Sequence, residues 1–241
     1  MTLPRIHLAS RPLYRTLVLL AVGLIALSLL SHWLIGEQSH RYLRALARFL
    51  NLSAEDNLPT AFAFVILMLS ALLLALIARL SAAKADPYTP HWTLLSLGFA
   101  LMAVDEVMSF HERLSSPMRT LLGGGELGPL RFAWVLPGAL LVLVVGLVLF
   151  RFIRQLPPVY RRGFLLAGAV YLSGVLGMES LGGWYFEAHD KQTDEIYWAM
   201  SQFEETLELT GVLLFIRSLL AYLGEFHGEF AVAIHPEAPS G

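Results

Sequence analysis

The sequence of 241 residues contains no cysteine and little charge. Without cysteine there can be no disulfides, thiolate metal ligands or cysteine nucleophile, although this does not define the compartment. Charged side chains make up 15% of the residues, and the formal net charge is −2 at pH 7. The arginines stand mostly singly rather than in a basic run, so we expect no nucleic-acid partner.

Apolar residues dominate what is present. They make up 56% of the chain, and the mean hydropathy is +0.61, values that are typical of a polytopic membrane protein. One membrane helix needs about 20 predominantly apolar residues. Six runs qualify, at about 16–35, 59–80, 91–113, 132–153, 163–187 and 195–223. The sequence therefore predicts an all-α fold, a six-helix polytopic transmembrane bundle forming a single membrane domain over 1–224.

A shorter helix is predicted between the first two spans. From about 40–50, apolar side chains alternate with arginines at helical spacing, so that the two kinds occupy opposite faces. This pattern indicates a helix lying in the membrane interface. The apolar face comprises Tyr42, Leu43, Leu46, Phe49 and Leu50, and the basic face Arg41, Arg44 and Arg48.

The distribution of basic residues predicts the orientation. Residues 1–15 and the segments after the second and fourth predicted helices carry most of the arginine and lysine, and by the positive-inside rule they face the cytoplasm. Both termini are then cytoplasmic in a bacterial inner membrane, with a disordered tail at 225–241. The loop at 37–58 lies outside in this topology although it contains three arginines.

Acidic residues inside the apolar runs are the main functional signal. An acidic side chain at the centre of a membrane helix costs roughly 2.5–3.5 kcal/mol, so such residues usually face a bundle interior and mark a site. Three predicted helices carry them to a similar depth in the outer half, and no lysine or arginine accompanies them on the same faces. The residues are Asp105, Glu106, Glu112, Glu179, Glu204, Glu205 and Glu208, with His111 beside them.

A divalent metal ion is one way to neutralise these carboxylates, and protonation is the other. In the metal hypothesis Glu106, Glu179, Glu205 and Glu208 hold the ion. His111 and Glu112 are further candidate ligands, although on a continuous helix His111 would point about 100° away from the acidic face. Asp105 or Glu204 would then act as general base on metal-bound water.

Three motifs carry a resemblance to known proteins. They are Asp105-Glu106-x-x-Ser109-x-His111-Glu112, Gly177-x-Glu179 and Glu204-Glu205-x-x-Glu208-x-x-Gly211, and they resemble patterns in an uncharacterised family of bacterial multi-pass membrane proteins. The resemblance covers the last four predicted helices and implies no activity. Glu204-Glu205 is also similar to the paired glutamates of membrane-embedded CAAX-type proteases. In that family, however, the motif continues to an arginine and later histidine motifs follow, and this sequence has neither.

Three classes of function are compatible with this pattern. We expect a metal-dependent membrane protein that acts on a lipid or lipid-linked substrate. A cation- or proton-coupled transporter is the second class, supported by the likeness of 104–108 to 203–207, since inverted repeats are common in transporters. The third is an accessory or assembly subunit, in which the acids serve only as interhelical contacts.

Overall fold

The structure is a computed structural model that describes residues 10–35 and 39–226. All regular secondary structure within these residues is helical. The α-helices are α1 (Ser10–Leu34), α2 (Arg41–Leu50), α3 (Leu58–Ala83), α4 (Thr89–Met108), α5 (Phe110–Leu121), α6 (Val135–Gln155), α7 (Pro158–Leu172), α8 (Glu179–Ala188) and α9 (Glu195–Phe226). A 3₁₀ turn at Gly128–Leu130 precedes α6, and a π-helical segment at Ser173–Met178 joins α7 to α8.

Five of the described helical segments are long and apolar enough to cross a membrane. They are α1, α3, α6, the continuous segment Pro158–Ala188, and α9. A sixth is added if α4 and α5 together form one span. The predicted all-α fold is confirmed, and the lengths and apolar composition of these helices suggest a multi-pass membrane protein.

The predicted continuous helix at 91–113 is wrong. α4 ends at Met108, and α5 leaves it at an angle of 80°. The intervening Ser109 adopts a left-handed backbone with φ 48° and ψ 43°. The Asp105 carboxylate accepts a hydrogen bond from the backbone N–H of His111 at 3.1 Å. It thereby satisfies a donor in the first turn of the new helix, as a capping residue does.

The other predicted boundaries agree within a few residues, except at three ends. α1 begins six residues earlier than predicted, and Pro158–Ala188 begins five earlier because Pro158 suits the first turn of a helix. α9 includes residues 225 and 226, which were predicted to belong to the disordered tail. The rest of that prediction concerns residues 227–241, which, like 1–9, lie outside the described residues. α2 matches the predicted interfacial helix.

Asp194 begins α9. Its carboxylate accepts hydrogen bonds from the backbone N–H of Tyr197 at 2.8 Å and from the Tyr185 hydroxyl at 2.7 Å. The bond from the Tyr197 backbone, which favours the ionised carboxylate, holds the pKa of Asp194 below its ordinary value. The cap therefore fixes where α9 starts and how it meets α8.

α9 is the central helix of the bundle. It packs against α1, α3, α7 and the π-helical segment. Its Ile216 and Leu219 are fully buried beside Ile66, Leu74 and Ile77 of α3. α6 leaves most of its apolar surface exposed, as expected of a helix bordered by lipid.

Aromatic contacts define the register between α4 and α9. Phe99 stacks on Phe215 with ring centroids 4.7 Å apart, and Trp92 meets Tyr222 at 5.0 Å. Because the two helices run antiparallel, this register brings the C-terminal end of α4 level with the acidic part of α9. Glu106 of α4 is therefore level with Glu208 of α9.

Glycines allow α7 and the π-helical segment to approach α9 closely. A side-chain carbon at Gly174 would lie 2.8 Å from Cγ of Glu208 and 2.9 Å from the backbone oxygen of Glu204. The absence of a side chain thus permits close packing at Gly174 and also at Gly163. It is not needed for packing at Gly168 or Gly177, where a side-chain carbon would meet nothing within 4 Å.

Candidate functional site

The centre of the site is a pair of carboxyl groups from two different spans. Glu179 is the first residue of α8, and Glu204 lies in α9. The two carboxyl groups lie close enough to each other for a hydrogen bond. The indole N–H of Trp134 donates to Oε1 of Glu179 at 2.7 Å. A hydrogen bond between two carboxyl groups requires a proton on one of them, so this pair is arranged to share one proton.

The π-helical segment Ser173–Met178 presents Glu179 to α9. A π-helical insertion widens one turn of a helix and is frequent at functional sites. Here it ends one residue before Glu179, and its Gly174 contacts Glu204 and Glu208. The π-helical segment therefore lies where the span that carries Glu179 meets α9.

Three further glutamates lie beside this pair. Glu106 projects from α4, and Glu205 and Glu208 project from α9. They lie close enough for their charges to interact, and the strongest charged neighbours of Glu205 and of Glu208 are other carboxylates. Each of the three is half-buried. No hydrogen bond to a described residue satisfies any of them, so their oxygens are left for water, protons or a ligand.

Asp105 and His111 form an ion pair at the bend between α4 and α5. The Nδ1 of His111 lies 2.6 Å from Oδ2 of Asp105, while Oδ1 accepts from the His111 backbone. The expected orientation of His111, away from the acidic face, is wrong because the helix breaks at Ser109. Asp105 has a structural role here as cap and ion-pair partner, and the prediction that it acts as a general base is not tested.

Glu112 and Glu55 form a second pair of neighbouring carboxyl groups, close enough for a hydrogen bond, at the surface of the site. Glu55 lies in the turn between α2 and α3, and its Oε1 also accepts a hydrogen bond from the Ser109 hydroxyl at 2.8 Å. These contacts attach the α4–α5 bend to the start of α3. Glu55 and Glu112 are both exposed, which places this pair at the entrance to the site.

The acids of the cluster lack a basic partner other than histidine. Among the described residues, arginine forms salt bridges only with Glu187, to which Arg119 and Arg131 both approach at 3.9 Å. Glu187 lies apart from the cluster and accepts a hydrogen bond from the Gly128 backbone, which holds the 3₁₀ turn against α8. The cluster can therefore reduce its negative charge only by binding protons or cations.

The predicted metal site is not supported by the described geometry. No group of three or more His, Asp or Glu side chains in residues 10–35 and 39–226 is arranged to hold a metal ion. The expected ligands are engaged elsewhere or spread out: His111 is paired with Asp105, Glu112 with Glu55, and Glu179 with Glu204. Only Glu106, Glu205 and Glu208 remain without such partners.

An apolar groove of about 470 Å³ runs along the span that carries Glu179. Its lining is formed by Pro129, Gly177, Ser180, Leu181 and Trp184. Gly177, Ser180 and Leu181, which lie near Glu179 in sequence, line this groove. Glu179 itself turns towards Trp134 and Glu204. One segment thus borders the acidic cluster on one face and an apolar surface on another.

Comparison with known proteins identifies the family. Residues 16–223 match the model described as Domain of unknown function (DUF8692). The chain belongs to this family. No curated protein matches, and no solved structure does. The predicted membership of an uncharacterised family with no activity to carry over is confirmed, and the matched residues include every acid of the cluster.

Two participants in the site were not predicted from the sequence. Glu55 was overlooked because it lies outside the apolar runs, in a loop, where acidic residues are ordinary. Trp134 stands near the start of a predicted span, where a tryptophan is ordinary in the membrane interface, yet its N–H is bound to Glu179. The sequence offers one signal for Glu55 and Trp134, which is that each stands within a few residues of the start of a predicted span.

Proposed function

We propose that the protein is a proton-coupled membrane transporter in which the carboxyl cluster takes up and releases protons at one face of the membrane. The observation that supports this most directly is the close approach of the Glu179 and Glu204 carboxyl groups, because one proton shared between them would join two spans. Glu106, Glu205 and Glu208 extend the cluster along α9 and provide further protonation sites. Intramembrane carboxylates of this kind are typical of proton relays in transporters.

Protonation would also couple to helix packing. A shared proton holds Glu179 to Glu204, whereas two ionised carboxylates repel each other. The contact between them lies next to Gly174, where the π-helical segment approaches α9 closely. Loss of the proton would therefore favour separation of the π-helical segment from α9, which is a way to link proton release to a conformational change.

Infrared difference spectroscopy of the protein reconstituted in lipid tests this proposal. The carbonyl stretch of protonated carboxyl groups should appear and disappear as the pH is varied, and Glu204→Gln should remove part of this signal. Glu195→Gln is the matched control, since Glu195 lies on the same helix but is 71% exposed and pairs with His32. An unchanged titration in Glu204→Gln would contradict the proposal, and a signal that never titrates would favour a purely structural role.

A metal-dependent enzyme acting on a lipid or lipid-linked substrate is the second candidate. Two observations favour it: the three glutamates without hydrogen-bonding partners, and the apolar groove, which is suited to an acyl chain. In this alternative Glu106, Glu205 and Glu208 would converge on a divalent ion. Stoichiometric manganese, iron or zinc in purified wild-type protein, lost in Glu205→Gln, would favour the enzyme over the transporter.

The orientation of the protein in a bacterial inner membrane is part of the proposal. The acidic cluster would open to the outer side, and both termini would be cytoplasmic. Because the chain has no cysteine, single cysteines can report this directly. We expect Thr193→Cys to react with an impermeant maleimide in intact cells, and Ala82→Cys to react only after permeabilisation. The reverse pattern would invert the topology.

A further inference from the structure

α2 carries two opposed surfaces, and both are exposed. Its apolar side chains are 46–66% exposed at four positions, which are Tyr42, Leu43, Leu46 and Phe49. About 100° per residue separates successive side chains, so the three arginines of the helix fall on the opposite side. No residue of α2 is fully buried. The helix therefore does not belong to the protein core.

Hydrogen bonds fix the position of α2 at its C-terminal end. The side chain of Asn57, at the start of α3, donates to the backbone oxygen of Asn51 at 2.7 Å. Gln202 of α9 donates to Oδ1 of Asn51 at 2.9 Å, and the backbone of Leu52 donates to Ser28 of α1 at 2.9 Å. α2 is thus held against three spans, at the same end of the bundle as the acidic cluster.

The charge on α2 is positive and uncompensated within the described chain. The helix has three arginines and no acidic residue. Arg41 donates to the Tyr42 hydroxyl at 2.9 Å, and its guanidinium lies over the tyrosine ring. None of Arg41, Arg44 and Arg48 forms a salt bridge with a carboxylate among the described residues. Arg44 and Arg48 are exposed on the side opposite the apolar face, and Arg41 lies at the border between the two faces, against Tyr42.

We propose that α2 is a binding surface for the headgroups of anionic phospholipids in the membrane leaflet on the side of the acidic cluster. The apolar face would enter the acyl region and the arginines would meet the phosphates. Charge complementarity selects this partner, because guanidinium groups match phosphate oxygens in geometry and charge. Basic side chains near an anionic leaflet are attracted to it within a Debye length. The proposal does not depend on what the carboxyl cluster does.

The test places a fluorophore on α2 in the full-length protein. A single cysteine replaces Ala45, which is exposed on α2. The labelled protein is reconstituted in vesicles of phosphatidylcholine and phosphatidylglycerol, with a quencher on the headgroup of one lipid or the other. We expect quenching to show about threefold or greater local enrichment of phosphatidylglycerol, decreasing as salt is added.

Two α2 variants distinguish charge from structure. Replacing Arg41, Arg44 and Arg48 together by glutamine should abolish the enrichment, whereas replacing all three by lysine should retain most of it. A second fluorophore at Ala82→Cys, at the far end of α3, reports folding and should be unaffected by the glutamine variant. Equal quenching by the two lipids in the wild type, or persistent enrichment in the glutamine variant, would overturn the proposal.

Discussion

Replacing Gly211 by alanine should strongly destabilise the bundle. A side-chain carbon at this position would lie 2.7 Å from both Cβ and the backbone nitrogen of Tyr171, and 2.8 Å from its Cα. Because the obstructing atoms belong to the backbone of α7, they cannot rotate away. We expect a cost of about 3 kcal/mol, at the upper end of the range for overpacking, measured as a lower apparent melting temperature and a lower yield of folded protein in detergent.

Gly224 is the matched control on the same helix. Nothing lies within 4 Å of a side-chain carbon placed there, and alanine favours the helix over glycine by roughly 0.5–1 kcal/mol. Gly224→Ala should therefore be neutral or slightly stabilising. If Gly211→Ala were as stable as Gly224→Ala, the close contact between α7 and α9 would be wrong, and with it the route by which Glu179 reaches Glu204.

Neutralising Glu205 should stabilise the protein while removing one of its protonation sites. The strongest charged neighbours of Glu205 are the carboxylates of Glu106, Glu179, Glu55 and Glu112. Glutamine preserves the shape of the side chain and removes the repulsion. We expect Glu205→Gln to raise the apparent melting temperature by about 2–5 °C at pH 9. Functional sites commonly carry strain of this kind.

The pH dependence gives the sign of this effect. Repulsion exists only when the carboxyl groups are ionised, so the stabilisation by glutamine should grow as the pH rises and disappear as the pH falls and the carboxyl groups take up protons. Glu195→Gln serves as the control: Glu195 lies 2.8 Å from Nε2 of His32, so its replacement removes an attraction instead. A lower melting temperature for Glu205→Gln at pH 9 would mean that Glu205 is held by an attractive contact.

The helical content and most of the spans could be predicted because the apolar runs have the length that a membrane helix needs. The predicted span at 91–113 is the exception, because the helix breaks at Ser109. Apolar residues stand on both sides of Ser109, at Val107, Met108 and Phe110, so hydropathy does not locate the break. The break depends on the Asp105 carboxylate turning back to the backbone of His111, and on Glu55 binding the Ser109 hydroxyl. Glu55 lies in a turn that is distant in sequence, so its contact with Ser109 cannot be predicted from the residues around the break.

The acids of the candidate site could be identified because each is unusual where it stands. Glu106, Glu179 and Glu205 interrupt segments that are otherwise apolar, and counting residues from the ends of those segments placed them at similar depth. Their arrangement could not be predicted in the same way. Three of the expected metal ligands are engaged in pairs within the described structure, because contacts between helices compete with a shared ion for the same oxygens.

The sequence by itself determined that this protein is helical, that several of its helices suit a membrane, and that acids from three of them lie at one level. These follow from composition and spacing along each helix. Only the tertiary structure decided which acids are partners. That choice depends on the register between α4 and α9, set by Phe99 against Phe215, and on the close approach at Gly174 and Gly211. A shift of one residue between helices turns a side chain by about 100°, so the packing of the bundle is what joins Glu179 to Glu204.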